Sequence, residues 1–172
     1  MKLLGLGFLT SIVVALSSFP ASAQTDREFQ DKAGGFAISL VGEWRAVTYS
    51  DAVGRQKTDF IYRDRSEGLL RVTKDSLGAR PMDDAVREEE ENVRISKAAF
   101  EQEGKEAFGG GPLQGIRWAF FYVESGRKMA ATYYFLQDGK DFWTLRFTGK
   151  RGVLDKVRNL TGQIARSFHA AR

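Results

Sequence analysis

Few side chains in this 172-residue sequence are equipped for chemistry, and their spacing decides what each can do. The single histidine, His169, could serve as a general base, the commonest catalytic role of imidazole. It stands at the end of a helical pattern, next to Ala170-Ala171-Arg172, where a cation is favoured by the helix dipole, and it reads as that. Serine catalysis would need this imidazole, and no Gly-x-Ser-x-Gly elbow is present. Asp138 and Asp141 are the candidate carboxylate pair for glycoside chemistry. They flank an Asp-Gly turn, where aspartate is at home in any case. The run Glu88 to Glu91 offers carboxylates to a hard cation, but calcium takes about six to eight converging oxygens. Successive helical residues point in different directions, so the run reads as a solvated helix face. Gly109-Gly110-Gly111 with Gly115 has the glycine content of a phosphate loop without its spacing, and no Lys-Ser or Lys-Thr follows. It reads as a flexible connector. The absence of cysteine excludes thiol catalysis, disulfides and cysteine-held metal, and one histidine cannot build a histidine-rich cage within one chain. No catalytic, cofactor-binding or metal-ligating residue is therefore assigned, no cofactor is expected, and the binding residues stay unread.

The compartment is written more clearly than the chemistry. Lys2 precedes a short apolar stretch, Leu3 to Leu16, and Pro20 leads into Ala21-Ser22-Ala23, a small-x-small cleavage site. A membrane-spanning helix needs about 20 mainly apolar residues, and this stretch is shorter and diluted by Gly5, Gly7, Thr10 and Ser11. The expectation is a cleaved signal peptide over 1–23 and a periplasmic or secreted protein. No cysteine is present to carry a lipoprotein anchor, and no later stretch reads as a transmembrane anchor. Cleavage leaves 149 residues, enough for one domain with its own core. The formal charge of +4 drops by one with Lys2, and the charges are mixed along the chain. Nucleic-acid binding wants a concentrated basic face, so no nucleic-acid partner is expected.

The elements that must position these residues follow from periodicity. Residues 24–34 read as a loose polar lead-in to a single domain over 35–172. Alternation predicts a strand over 36–40, a turn at Val41-Gly42-Glu43, and strands over 44–49, 58–63 and 69–74. Pro81 opens a helix followed by acids in its first turns, as the dipole favours; Met82, Val86, Val93 and Phe100 fall on one apolar stripe interrupted by charge, and the pattern carries the helix to about Val93. Three further strands, over 116–123, 128–136 and 142–148, are separated by Ser125-Gly126 and Asp138-Gly139. Asp-Gly between alternating apolar runs is a strong hairpin signal. A closing helix spans about 152–168, with Leu154, Val157, Thr161, Ile164 and Phe168 on one face. The fold class is α+β: an antiparallel sheet of about seven strands with helices packed on it.

Two local patterns resemble the PsbP-like family of small α/β/α sandwiches, which includes exported bacterial members of unknown function. One is Gly35-Phe36-Ala37-Ile38-Ser39-Leu40 leading through a turn to Trp44. The other is Asp138-Gly139-Lys140 before an aromatic strand, with a last helix closing on Ile164-Ala165-Arg166-Ser167-Phe168. The sequence departs from the family pattern in the first turn: no proline occupies it, and Glu43 separates Gly42 from Trp44. The resemblance implies an α/β/α sandwich and a relative of accessory or adaptor proteins, such as the lumenal photosystem II subunit and a nuclear GTPase-binding factor. No functional residue of those proteins maps onto a position here.

The remaining signal is aromatic, with 13 Phe, 5 Tyr and 3 Trp. Trp118, Phe120 and Tyr122 share one face of their strand and Phe121 the other. If both faces are covered these residues are core, and if one is bare it is a binding surface. Three function classes follow. The first is an exported, non-enzymatic binding or accessory protein of the cell envelope. The second is a carrier of a small apolar ligand in a sheet–helix cleft. The third is a carboxylate-dependent hydrolase built on Asp138 and Asp141. The expected partner is a protein or a small apolar ligand of the envelope. The identity of that partner and the oligomeric state are not readable from the sequence.

Overall fold

The computed structural model describes residues 27–54, 56–110 and 113–171. The expected signal peptide lies outside these residues, as do Gly111 and Pro112 of the expected connector. Ten strands and three helices are formed among the described residues. Strands β3 (Trp44–Ser50), β4 (Gln56–Tyr62), β5 (Gly68–Ser76), β6 (Ala98–Gly110), β7 (Leu113–Glu124), β8 (Arg127–Asp138) and β9 (Asp141–Lys150) make one antiparallel sheet. Its order is β3-β4-β5-β9-β8-β7-β6. A second sheet pairs β1 (Arg27–Asp31) and the short β10 (His169–Ala170) on either side of β2 (Phe36–Leu40). Helix α1 spans Met82–Ser96, α2 Arg151–Leu154 and α3 Arg158–Ser167.

Through β7, β8 and β9 the large sheet is buried on both faces, with alternate side chains entering opposite cores. From β7, Trp118, Phe120 and Tyr122 point toward α1, while Phe121 points to the opposite core. From β8, Tyr133 and Phe135 join the α1 side and Tyr134 and Leu136 the other. From β9, Trp143, Leu145 and Phe147 enter the core shared with β2, α2 and α3. Trp118 and Phe120 are fully buried and Phe121 is 9% exposed, so the meander aromatics are core and not a bare binding face. The two patterns that carry the family resemblance meet in this core. Phe36 stacks on Phe168 with centroids 5.6 Å apart, and Trp143 lies edge-on to both, at 5.8 and 5.1 Å. The apolar stripe of the closing helix is buried throughout. The helix itself is broken at 155–157, where the Lys156 and Val157 N–H groups bond the carbonyls three residues back and tighten the turn.

The seven-strand count holds, but its membership differs from the expectation. β2, expected in the main sheet, belongs to the smaller one, and the seventh strand of the main sheet is β6. Its sequence, AAFEQEGKEAFGG, alternates poorly and is rich in charge because it is an edge strand. Charged residues and bulges are how edges avoid pairing with other chains, and β6 has two register shifts with Ala99 at φ +50°. Phe100, placed on the helix stripe by periodicity, instead packs from β6 on Trp118 and Phe120. The lead-in is not wholly loose: residues 27–31 pair with Leu40 to Phe36.

Candidate functional site

The residues singled out for chemistry are dispersed and each has a structural partner. Asp138 and Asp141 face one another as the last pair of the β8–β9 hairpin, and Asp141 Oδ2 takes Lys74 Nζ at 2.8 Å. His169 is not on the helix end; it sits in β10 opposite Ala37, exposed, with Nδ1 3.1 Å from the Ser167 carbonyl. The acidic run is not a uniformly solvated face. Glu89 and Glu90 turn toward the sheet, where they meet Arg146 Nη2 at 3.0 Å and Lys105 Nζ at 2.6 Å. Gly109 and Gly115 are paired positions of the β6–β7 hairpin rather than parts of a loose connector.

The site that sequence reasoning missed is a break in the main sheet. β4 pairs with β3 along its whole length, and β5 pairs with β9 from Leu69 to Ser76. Between β4 and β5 the ladder is confined to Phe60–Tyr62 opposite Gly68–Leu70. Beyond Phe60 the two strands part, and the opening is a slot of about 540 Å³. Its walls include Lys57 and Asp59 on β4 and Arg71 and Thr73 on β5, with Arg146 from β9 beside them. The β1–β2 turn borders its other end at Gly34 and Phe36.

A side-chain bridge replaces the missing ladder. Arg71 Nε donates to Asp59 Oδ1 at 3.2 Å, and Arg65 Nη2 lies 3.0 Å from Oδ2. Asp59 is 2% exposed, so its charge is tolerable only because two guanidinium groups face it. Arg65 is held over the Tyr49 ring, 5.7 Å from its centroid. Arg146 stands directly opposite Arg71 across β5–β9. Glu89 holds one end of its guanidinium, which lies 5.7 Å over the Tyr133 ring. Burial pushes the Tyr133 hydroxyl up to about 12, against the opposing pull of Arg146.

A second cleft, about 600 Å³, lies between α3 and the β6–β7 hairpin, on the sheet–helix boundary where an apolar ligand was expected. Phe108, Leu113 and Leu136 give it an apolar wall, but Glu106 and Arg166 share the lining, with Arg166 5.4 Å over the Phe108 ring. The interior contact of α3 is filled by Ile164, Ala165 and Phe168, and the Tyr134 hydroxyl is 3.1 Å from Thr161 Oγ1.

No family model and no curated protein matches this sequence. Solved structures do match its fold. Cyanobacterial PsbP (CyanoP) from Synechocystis sp. PCC 6803 superposes with a TM-score of 0.58 at 16% identity, over 90% of this chain and 98% of that one. LpqN of Mycobacterium tuberculosis, described as involved in cell envelope biogenesis, gives 0.62 at 9% identity, over 87% and 92%. The Ran-binding protein Mog1p of Saccharomyces cerevisiae gives 0.59 at 8%, over 86% and 96%. The architecture expected from Phe36, Trp44 and the closing helix is therefore present, and the chain has the PsbP-like α+β fold.

Proposed function

We propose that this protein is an exported, non-enzymatic binding or accessory module of the cell envelope, and that the slot between β4 and β5 is where it binds. The observation that carries the reading is the parting of two neighbouring strands around a buried, cation-matched carboxylate. A sheet that merely supports a core gains from closing such a ladder, whereas an open slot leaves hydrogen-bonding groups of β4 and β5 to a ligand. The N-terminal signal pattern supports export, and the involvement of LpqN in cell envelope biogenesis is in keeping with an envelope role. No helix among the described residues is long and apolar enough to cross a membrane.

The test is native mass spectrometry of the mature protein purified gently from its own envelope, with cross-linking before extraction. A retained protein or small ligand that is lost in the Arg71→Ser variant supports the reading. A bare monomer without cross-linked neighbours overturns it. The apolar-carrier reading is favoured only by the wall of Phe108, Leu113 and Leu136 in the α3 cleft. It predicts a co-purified lipid mass that Phe108→Ser releases and Arg71→Ser does not.

A further inference from the structure

Resting on that reading, we infer that the slot is a phosphate-type oxyanion site, with Arg71, Thr73 and Arg146 as its donors. Charge is the first reason. Arg65 and Arg71 both converge on Asp59, whereas Arg146 is matched by Glu89 and Lys57 by Asp51. Among the described residues that line the slot, Lys57, Arg71 and Arg146 outnumber Asp31 and Asp59 by one positive charge. Asp31, at the β1–β2 end, accepts the Gly34 N–H at 2.7 Å within its own turn and sets an acidic limit there. The positive region is local, which suits one anionic group rather than a polyanion lying along the slot.

Unmet donors are the second reason. Thr73 Oγ1 and Arg146 Nε are buried atoms with no hydrogen-bond partner among the described residues, and both residues line the slot. Buried polar groups are nearly always satisfied, so two orphans in one cleft ask for an acceptor. Arg146 is already oriented by Glu89 and Tyr133, so little freedom remains to be lost on binding.

Register is the third reason. Arg71 and Arg146 are directly opposite cross-strand neighbours, an arrangement that like charges disfavour. An anion beside both turns that repulsion into attraction. Guanidinium groups suit phosphate oxygens through paired N–H donors. Donors from three side chains on two strands address more oxygens than the two of a carboxylate. The shared chemistry is a phosphate group, whether free or on a lipid headgroup.

The experiment is a titration of the ¹⁵N-labelled mature protein with sodium phosphate, following the arginine Nε–Hε resonances, with sodium acetate and sodium chloride at matched ionic strength as controls. Saturable shifts of Arg71 and Arg146 with phosphate are expected, with no saturation in chloride and weaker binding of acetate. Thr73→Val should weaken phosphate binding about tenfold, the loss of one hydrogen bond to a charged group. Cosedimentation with phosphatidylglycerol vesicles, against phosphatidylcholine vesicles, separates the sources. Phosphatidylglycerol binding that Thr73→Val weakens assigns a lipid phosphate, and its absence alongside saturable inorganic phosphate assigns a soluble one. Shifts that stay linear and match chloride, saturation centred on Arg158 and Arg166 instead, or an unchanged affinity in Thr73→Val each overturn the proposal. A partner recovered from the envelope despite any of these results leaves the binding-module reading standing.

Discussion

Replacing Asp59 by Asn keeps the shape of the side chain and removes the charge that spans the slot. The Asp59 carboxylate is 3% exposed, while Arg65 and Arg71, its partners, are 54% and 55% exposed. Two effects oppose. Hydrogen bonds to a charged group stabilise by about 1.5–3 kcal/mol each when sequestered, and by about 0–1 kcal/mol when both partners are in water. One buried and one exposed partner place each contact near the middle of that span, so about 3 kcal/mol is lost. Against this, Asn ends the cost of holding a carboxylate out of water and keeps one acceptor for Arg71, which returns roughly 1 kcal/mol. The expected net loss is about 2 kcal/mol, and for a domain of this size that lowers Tm by roughly 4–8 °C. Urea unfolding measures it, with an unchanged m-value showing that the fold is retained. A cycle with Arg71→Gln isolates the pair, and a coupling of about 1 kcal/mol is expected. Were Asp59→Asn as stable as the parent, or the coupling within about 0.3 kcal/mol of zero, the bridge would not be what joins β4 to β5 beyond Phe60.

Three further outcomes follow from the packing. Gly149→Ala would drive a Cβ into the Glu67 carbonyl oxygen, backbone that cannot swing aside, so a loss of about 1–3 kcal/mol is expected in urea unfolding; full stability would refute the close approach of the β4–β5 turn to β9. Phe168→Ala removes a ring held between Phe36 and Trp143 and should cost about 3–5 kcal/mol, with a change in tryptophan fluorescence that an unpacked C-terminal segment would not produce. Tyr133 titrates near 12 in the folded protein and near 10 when unfolded. Between those values the unfolded state has lost the proton that the folded state keeps, so stability is full below pH 10 and falls as pH rises toward 12. Tyr122, also raised by burial, adds the same fall to parent and Tyr133→Phe, so the fall in the parent should exceed that in Tyr133→Phe by on the order of 2 kcal/mol; an equal fall in both would refute the assignment.

Legibility in the sequence followed the strength of the local signal. The β7–β8–β9 meander was readable because its alternation is strict and its turns carry Ser125-Gly126 and Asp138-Gly139, with Ser125, Gly126 and Gly139 all at positive φ. The closing stripe from Leu154 to Phe168 was readable because helical spacing survives the break at 155–157, where the turn tightens without moving the apolar face. β6 was not, since an edge strand buries little and its charges defend it, which erases the alternation that marks a strand. The same logic misplaced Phe100, whose distance from Val93 fits a helix as well as a bulged strand crossing the same helix-covered face. β1 escaped for a related reason: only Phe29 of its five residues is apolar.

The slot was illegible for a deeper reason. Extending the observed register would set Asp59 opposite Arg71 and Lys57 opposite Thr73, combinations that a closed antiparallel ladder accepts readily. Nothing in β4 or β5 alone tells the strands to part. The opening depends on where each strand's other neighbour carries it. β4 is committed to β3 from Gln56 to Tyr62, and β5 to β9 from Leu69 to Ser76. The β4–β5 turn is tied down onto the end of β9 by the Lys150 N–H to the Ser66 carbonyl. With the turn fixed at one end and the two strands claimed by different partners, sheet twist separates them at the other. Asp59 sits where that separation begins, and its burial is bearable only with Arg65 and Arg71 in reach. The arrangement therefore arises from four strands and a turn acting together. Its components look like ordinary alternation of charged and apolar residues until the fold sets them side by side.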